Sequence, residues 1–144
     1  MTRSLLQLVA IAAAHAELES GKDIEALLAT MEGEPVYDFY PVGKRFRGMA
    51  NTRRYYRHFF DELQPRIVAF TFVSEAIGEA GAFMEYIVRV RHADNEDLVD
   101  HRVLGILTFG EQALTGERLY ADERFFRMLT GPLWDELETI TPEG

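Results

Sequence analysis

The stretch VYDFYPVGKRFRG, residues 36–48, sets Asp38 among Val36, Tyr37, Phe39 and Tyr40. A carboxyl taken out of water by such neighbours keeps its proton to higher pH, which makes it a usable general base near neutrality. Whether Asp38 meets that condition depends on strand phase, because alternate residues of an extended segment face opposite ways. Tyr37 and Phe39 share one face, and Val36, Asp38 and Tyr40 share the other. If the second face is the inner one, Asp38 is a buried acid and Tyr40 a hydroxyl donor to an oxyanion developing on a substrate. The competing readings are a hydrogen-bonded structural acid, or the opposite phase, which leaves Asp38 exposed.

Histidine supplies the complementary group, since it exchanges protons near pH 7. His15 follows Leu8, Ile11 and Ala12 at helical spacing, so it ends the apolar face of its helix. His101 alternates in phase with Val103, Leu107 and Phe109. Asp38 with either histidine would form an acid/base pair for proton transfer beside a carbonyl; the competing reading makes each a hydrogen-bonded core residue. His58 and His92 flank basic positions and are expected at the surface.

A second set of residues is suited to contacting a ligand. Tyr56 and Phe59 fall on one helical face with Phe60 and Leu63, and Tyr86 belongs to an inward strand set with Met84, Val88 and Val90. Glu117 has the phase of Leu119 and Ala121, whereas Asp122 has that of Tyr120; a bulge could reverse either. Asp122 is most simply a helix N-cap, and Trp134 an anchor in the core or an interface. No two histidines have helical metal-ligand spacing, and DNED lacks the glycine and ligand alternation of a calcium loop, so neither metal nor cofactor is expected. Six of the fifteen basic residues fall between Lys44 and Arg57. They form either a local anion platform or a solvated helix face.

The elements that must position these groups follow from period and punctuation. Residues 4–20 read as a helix closed by Gly21, and Asp23 caps a short helix to about Met31. EPVYDF is extended, Pro41 and Gly43 break it, and a helix runs from Gly48 to about Leu63, where Pro65 stops it. RIVAFTFVSEAI and AFMEYIVRVRHA form a hairpin through GEAG, with DNEDLVD a polar loop. HRVLGILTFG and ALTGERLYA form a second hairpin across GEQ, and Asp122 caps a final helical segment interrupted by Gly131 and Pro132. Helices first and mainly antiparallel strands after them make an α+β layout.

At 144 residues and 47% hydrophobic content, one domain with its own core is expected across residues 1–144. With 24 acids against 15 bases the net charge is -9, which disfavours phosphate backbones and anionic lipid as partners. The absence of cysteine removes disulfides, thiolate metal sites and thiol catalysis. MTRSLLQLVAIAAAHA has the outline of a signal peptide, but Gln7 and His15 bound its apolar run and the helical spacing suits a folded amphipathic helix. A cytoplasmic location is therefore expected.

The order of elements, together with Gly21 to Leu28, Pro41-x-Gly43 to Gly48, and Tyr120-x-Asp122, resembles the nuclear transport factor 2-like superfamily, most of all its SnoaL-like branch. The resemblance spans about residues 4–130 and implies a curved sheet wrapped around N-terminal helices with a pocket inside. It also implies pairing of two copies through the outer sheet face. The superfamily contains ketosteroid isomerase, polyketide cyclases and non-enzymatic assembly domains, so activity does not follow from fold. The isomerase's tyrosine, base aspartate and oxyanion-holding aspartate fall at Ala14, near Tyr40 and near Gly105, and the epoxide hydrolase's last-strand acid falls at Leu119. Those known arrangements are absent. The cyclase branch keeps a carboxylate near the last strand, matched here by Asp122 or Glu117. The expectation is a pocket for a small apolar or aromatic ligand, with acid/base turnover of cyclase, isomerase or lyase kind, and Asp38, His101 and His15 as its catalytic groups. The alternative is a dimeric interaction module whose core is filled.

Overall fold

The computed structural model describes residues 2–92 and 97–142. Helix α1, Leu5–Leu18, opens on a reciprocal cap: Ser4 Oγ accepts from the Gln7 N–H at 3.3 Å, and Gln7 Oε1 accepts from the Ser4 N–H at 2.8 Å. Asp23 caps α2, Ile24–Leu28, accepting from the Ala26 N–H at 3.0 Å. The second helix thus stops three residues before Met31, where strand β1, Met31–Tyr40, begins. A short strand β2, Lys44–Arg47, folds back on β1 before α3, Met49–His58. The charged KRFR had given no strand signal. Past His58 the helix widens into a π turn over Phe59–Leu63 and a 3-10 turn ends it at Pro65, as the proline predicts.

Four long strands follow: β3, Ile67–Gly78; β4, Gly81–Arg91; β5, Leu98–Phe109; and β6, Leu114–Tyr120. Both expected hairpins form, and β5 starts at Leu98, inside the segment read as a polar loop. Residues 94–96 of that segment, and residue 93 at the end of the strand read before it, lie outside the described residues. Helix α4, Glu123–Thr130, a 3-10 turn over Gly131–Glu136 and a two-residue strand β7, Glu138–Thr139, complete the chain. The curved sheet runs β3-β4-β5-β6-β1-β2-β7; β1 lies parallel to β6, and the other pairs are antiparallel. Gly116 permits the parallel contact, since a Cβ there would stand 1.8 Å from the Val36 carbonyl oxygen.

Register settles the phase of β1. Tyr37 and Phe39 face inward and are fully buried, with Phe46, Tyr55 and Phe126 packed against their rings. Burying such side chains stabilises by about 1.5–3 kcal/mol each. Turning Asp38 inward would forfeit that and part its carboxylate from Arg45, so Asp38 and Tyr40 take the outer face, where Asp38 is still buried beneath Arg45. The exposed large apolar side chains Val68, Phe70, Phe72, Val73 and Ile77 concentrate on β3, at the sheet's edge. The outer face around Ile87 instead carries the pairs Arg89–Asp100 and Arg102–Glu85.

Candidate functional site

A cavity of about 790 Å³ opens between α1, the end of α3 and the inner faces of β3 to β6. Its wall is apolar and aromatic: Tyr55, Tyr56, Phe59, Phe70, Tyr86 and Phe125 contribute rings, and Ala12, Ala13 and Ala16 keep α1 thin enough to leave the space open. Tyr56 and Phe59 reach it because the helical face predicted for them is the inner one. Tyr86 and Glu117 reach it through strand alternation, as their phases with Val88 and Leu119 require.

Behind the wall at Glu19 and Tyr56 lies His15, which is fully buried and does not itself line the cavity. Thr30 Oγ1 donates to the Leu27 carbonyl at 2.6 Å, so it accepts the Nδ1 proton of His15 at 2.8 Å. That fixes Nε2 as the exchanging nitrogen. Nε2 stands 2.9 Å from Glu19 Oε1 and 3.1 Å from the Tyr56 hydroxyl. Two acceptors cannot approach so closely, so the histidine and Glu19 hold one proton between them. The Tyr56 hydroxyl also lies 2.7 Å from that of Tyr37 and 3.4 Å from Glu19. Glu19 is held in place by the end of its helix: Gln64 Nε2 donates to the Glu19 carbonyl at 2.8 Å and to the Gly21 carbonyl at 3.0 Å.

Glu117 enters from β6, opposite Leu107. Among the described residues no hydrogen-bond donor reaches its carboxyl, and its open side is the cavity. Burial, and after it the negative charge of Glu19, pushes Glu117 well above the ordinary carboxyl range, so it keeps a proton it can donate to higher pH than an ordinary carboxyl does. Burial also holds Tyr37, Tyr55, Tyr56 and Tyr86 well above the usual tyrosine value, which keeps them neutral donors. Gly105 leaves room beside this acid: a Cβ there would lie 3.5 Å from Glu117 Oε1 and 4.0 Å from the Tyr86 ring.

Ligand atoms of His15, Glu19 and Glu117 lie within 4.8 Å of one another, a grouping that histidine spacing alone did not disclose. Glu19 was also missed, although His15-x-x-x-Glu19 is the spacing that puts both side chains on one helical face.

The other predicted groups lie elsewhere. Asp38 is outside the cavity, its carboxylate gripped by Arg45 at 2.6 and 2.9 Å on the outer face. Tyr40 stacks on Tyr120 on that same face, with centroids 5.3 Å apart, so neither residue can serve the cavity as base or oxyanion donor. His101 is buried, but under α4: its Nδ1 is 2.5 Å from Asp122 Oδ2 and its Nε2 2.8 Å from His92 Nε2. His92 is therefore buried, not at the surface as its basic neighbours suggested. Asp122 caps α4, accepting from the Phe125 N–H at 2.8 Å, and Trp134 carries the Arg127 guanidinium 4.6 Å above its ring. Neither lines the cavity. Four of the six basic residues are held in ion pairs, Arg45 with Asp38, Arg47 with Glu138, Arg53 with Glu25 and Arg54 with Glu136, and the last three of these pairs lie exposed, as on a solvated face.

The fold so described is nuclear transport factor 2-like, an α+β roll, as the resemblance implied. A protein of unknown function from Cytophaga hutchinsonii with this fold superposes at a TM-score of 0.65 with 14% identity, over 80% of this chain and 99% of that one. A candidate isomerase from Bacillus subtilis gives 0.65 with 12% identity, over 90% and 96%. A Catenulispora acidiphila protein with a ketosteroid isomerase-like fold, solved in complex with trimethylamine, gives 0.58 with 14% identity, over 76% and 83%. No protein-family model and no curated protein matches the sequence. Among the described residues no helix is long and apolar enough to cross a membrane.

Proposed function

We propose that this protein binds a small, largely apolar or aromatic molecule in the cavity, with one polar group seated at Glu117 and the hydroxyls of Tyr56 and Tyr86. The observation that carries the reading is the cavity itself: about 790 Å³ of mostly apolar, ring-lined space converging on the Glu117 carboxyl. It weighs against the alternative of an assembly module with a filled core. The trimethylamine complex of a neighbour with the same fold lends small-ligand binding a precedent at the level of fold. Any turnover here would be proton transfer. Glu117 would donate to a ligand oxygen, while the proton shared by His15 and Glu19 marks the pair able to accept or return one.

Titration with 2-naphthol, followed through the Met84 methyl resonance, tests the pocket, because Met84 lines it. We expect a saturable shift in the parent protein and a loss of affinity of at least about tenfold in Gly105→Leu, which grows a side chain into the space beside Glu117. No shift up to the solubility limit would remove this reading.

A further inference from the structure

We propose that the cavity selects an organic cation, an amine carried on an apolar body, over neutral and anionic molecules of the same shape. This rests on the pocket reading above and adds the charge of its ligand. Four glutamates line the cavity, Glu17, Glu19, Glu75 and Glu117, and among the described residues no lysine or arginine does. The bases that could have compensated them are committed elsewhere, as in Arg45–Asp38, Arg53–Glu25 and Arg54–Glu136. His15 does not compensate Glu117 either: it is enclosed in the protein, with one ring nitrogen on Thr30 and the other on Glu19.

Glu117 is thus a half-buried carboxyl with an open face and, among the described residues, no donor and no counter-ion, the group whose ionised form a bound ammonium would complete. The walls suit the same ligand, because the faces of Tyr55, Tyr56, Phe59 and Tyr86 attract cations and repel anions. A bare metal ion fits less well, since Nε2 of His15 is already closed by Glu19 at 2.9 Å and the space is far larger than an ion.

Charge pairing here is coupled to a proton. The groups facing Glu117 are Glu19 and His15 from α1, Tyr37 from β1, Tyr55 and Tyr56 from α3, and Tyr86 from β4. The tyrosines stay neutral, and Glu19 is already bonded to His15, so Glu117 is the group assigned to ionise when a cation arrives. Seating the cation ejects the Glu117 proton to solvent, and affinity for the cation rises as pH climbs through the Glu117 titration.

The experiment compares 4-phenylbutylammonium with 4-phenylbutan-1-ol, matched in size, by calorimetry on the full chain. At pH 8 we expect the ammonium to bind at least about tenfold more tightly, a difference of about 1.4 kcal/mol, and Glu117→Gln to reduce that preference, read as the ratio of the two affinities in the same variant, to about threefold or less. Independently of any variant, titrations at pH 6 in two buffers of different ionisation heat should show net proton release for the ammonium and none for the alcohol. If the alcohol binds as tightly as the ammonium, or both release equal protons, the cation inference is overturned and the pocket reading stands. If neither binds, both fall.

Discussion

At the scale of single residues, the site depends on which atoms hold protons. Thr30 is the small part that decides this, because its hydroxyl proton is committed to Leu27 and it can only accept from His15. Thr30→Val keeps the shape and removes the acceptor, leaving a buried imidazole N–H unpaired. We expect a loss of about 1–3 kcal/mol in urea-unfolding stability; a loss below about 0.5 kcal/mol, the scatter of neutral surface changes, would mean that the tautomer is set otherwise. His15 was legible in the sequence because the helical period of Leu8, Ile11 and Ala12 points at it. Asp38 was not, because β1 is apolar on both of its faces at Val36, Tyr37, Phe39 and Tyr40, and alternation cannot choose between two apolar faces. The choice was made by rings far away in the chain, Tyr55 and Phe126, against which Tyr37 and Phe39 pack.

At the scale of elements, one acid weighed both as a ligand contact and as a helix cap holds the cavity's frame together. Asp122 caps α4 with one carboxylate oxygen and clasps His101 of β5 with the other, so one residue fixes the helix that lines part of the cavity to the sheet behind it. Its burial alone would raise its titration, but the bonds from His101 and the Phe125 N–H outweigh that and leave it below the ordinary aspartate range. A carboxylate depressed on folding stabilises at pH values above its unfolded range and loses that contribution as pH falls through its folded value. Asp122→Ala should therefore cost about 1–2 kcal/mol at pH 7, the size of a lost N-cap, and progressively less in acid. Equal costs at neutral pH and in strong acid would show that the charge on Asp122 is irrelevant. The cap was readable from local sequence, since Asp before a helical run is a near-neighbour signal. Strand β2 was not, because its four residues, three of them charged, depend on pairing with β1 and on ion pairs such as Arg47 with Glu138.

At the scale of the whole molecule, the surplus of acid and the open cavity meet in one group. The chain carries a net charge of -9, and Glu117 is an acid that the fold has placed beyond compensation. The parallel pairing of β6 with β1 that puts it there joins segments some 80 residues apart, as Tyr37↔Glu117 shows, and no local pattern announces it. Its consequence is a pH-dependent stability of definite sign. In the unfolded chain Glu117 ionises around 4.5, whereas in the fold burial and Glu19 hold its proton on to well above that. Over that interval the native state binds the extra proton, so stability falls as pH rises and levels off only once native Glu117 has itself ionised. Glu117→Gln removes the group and with it this slope. Between pH 5 and pH 8 the parent should lose on the order of 1 kcal/mol or more relative to the variant in urea unfolding, since each unit of displacement corresponds to about 1.4 kcal/mol. Parallel stability curves for the two proteins would mean that water already reaches Glu117 freely. A cation seated in the cavity should abolish the same slope in the parent, because the charge that the fold leaves unmatched would then have its partner.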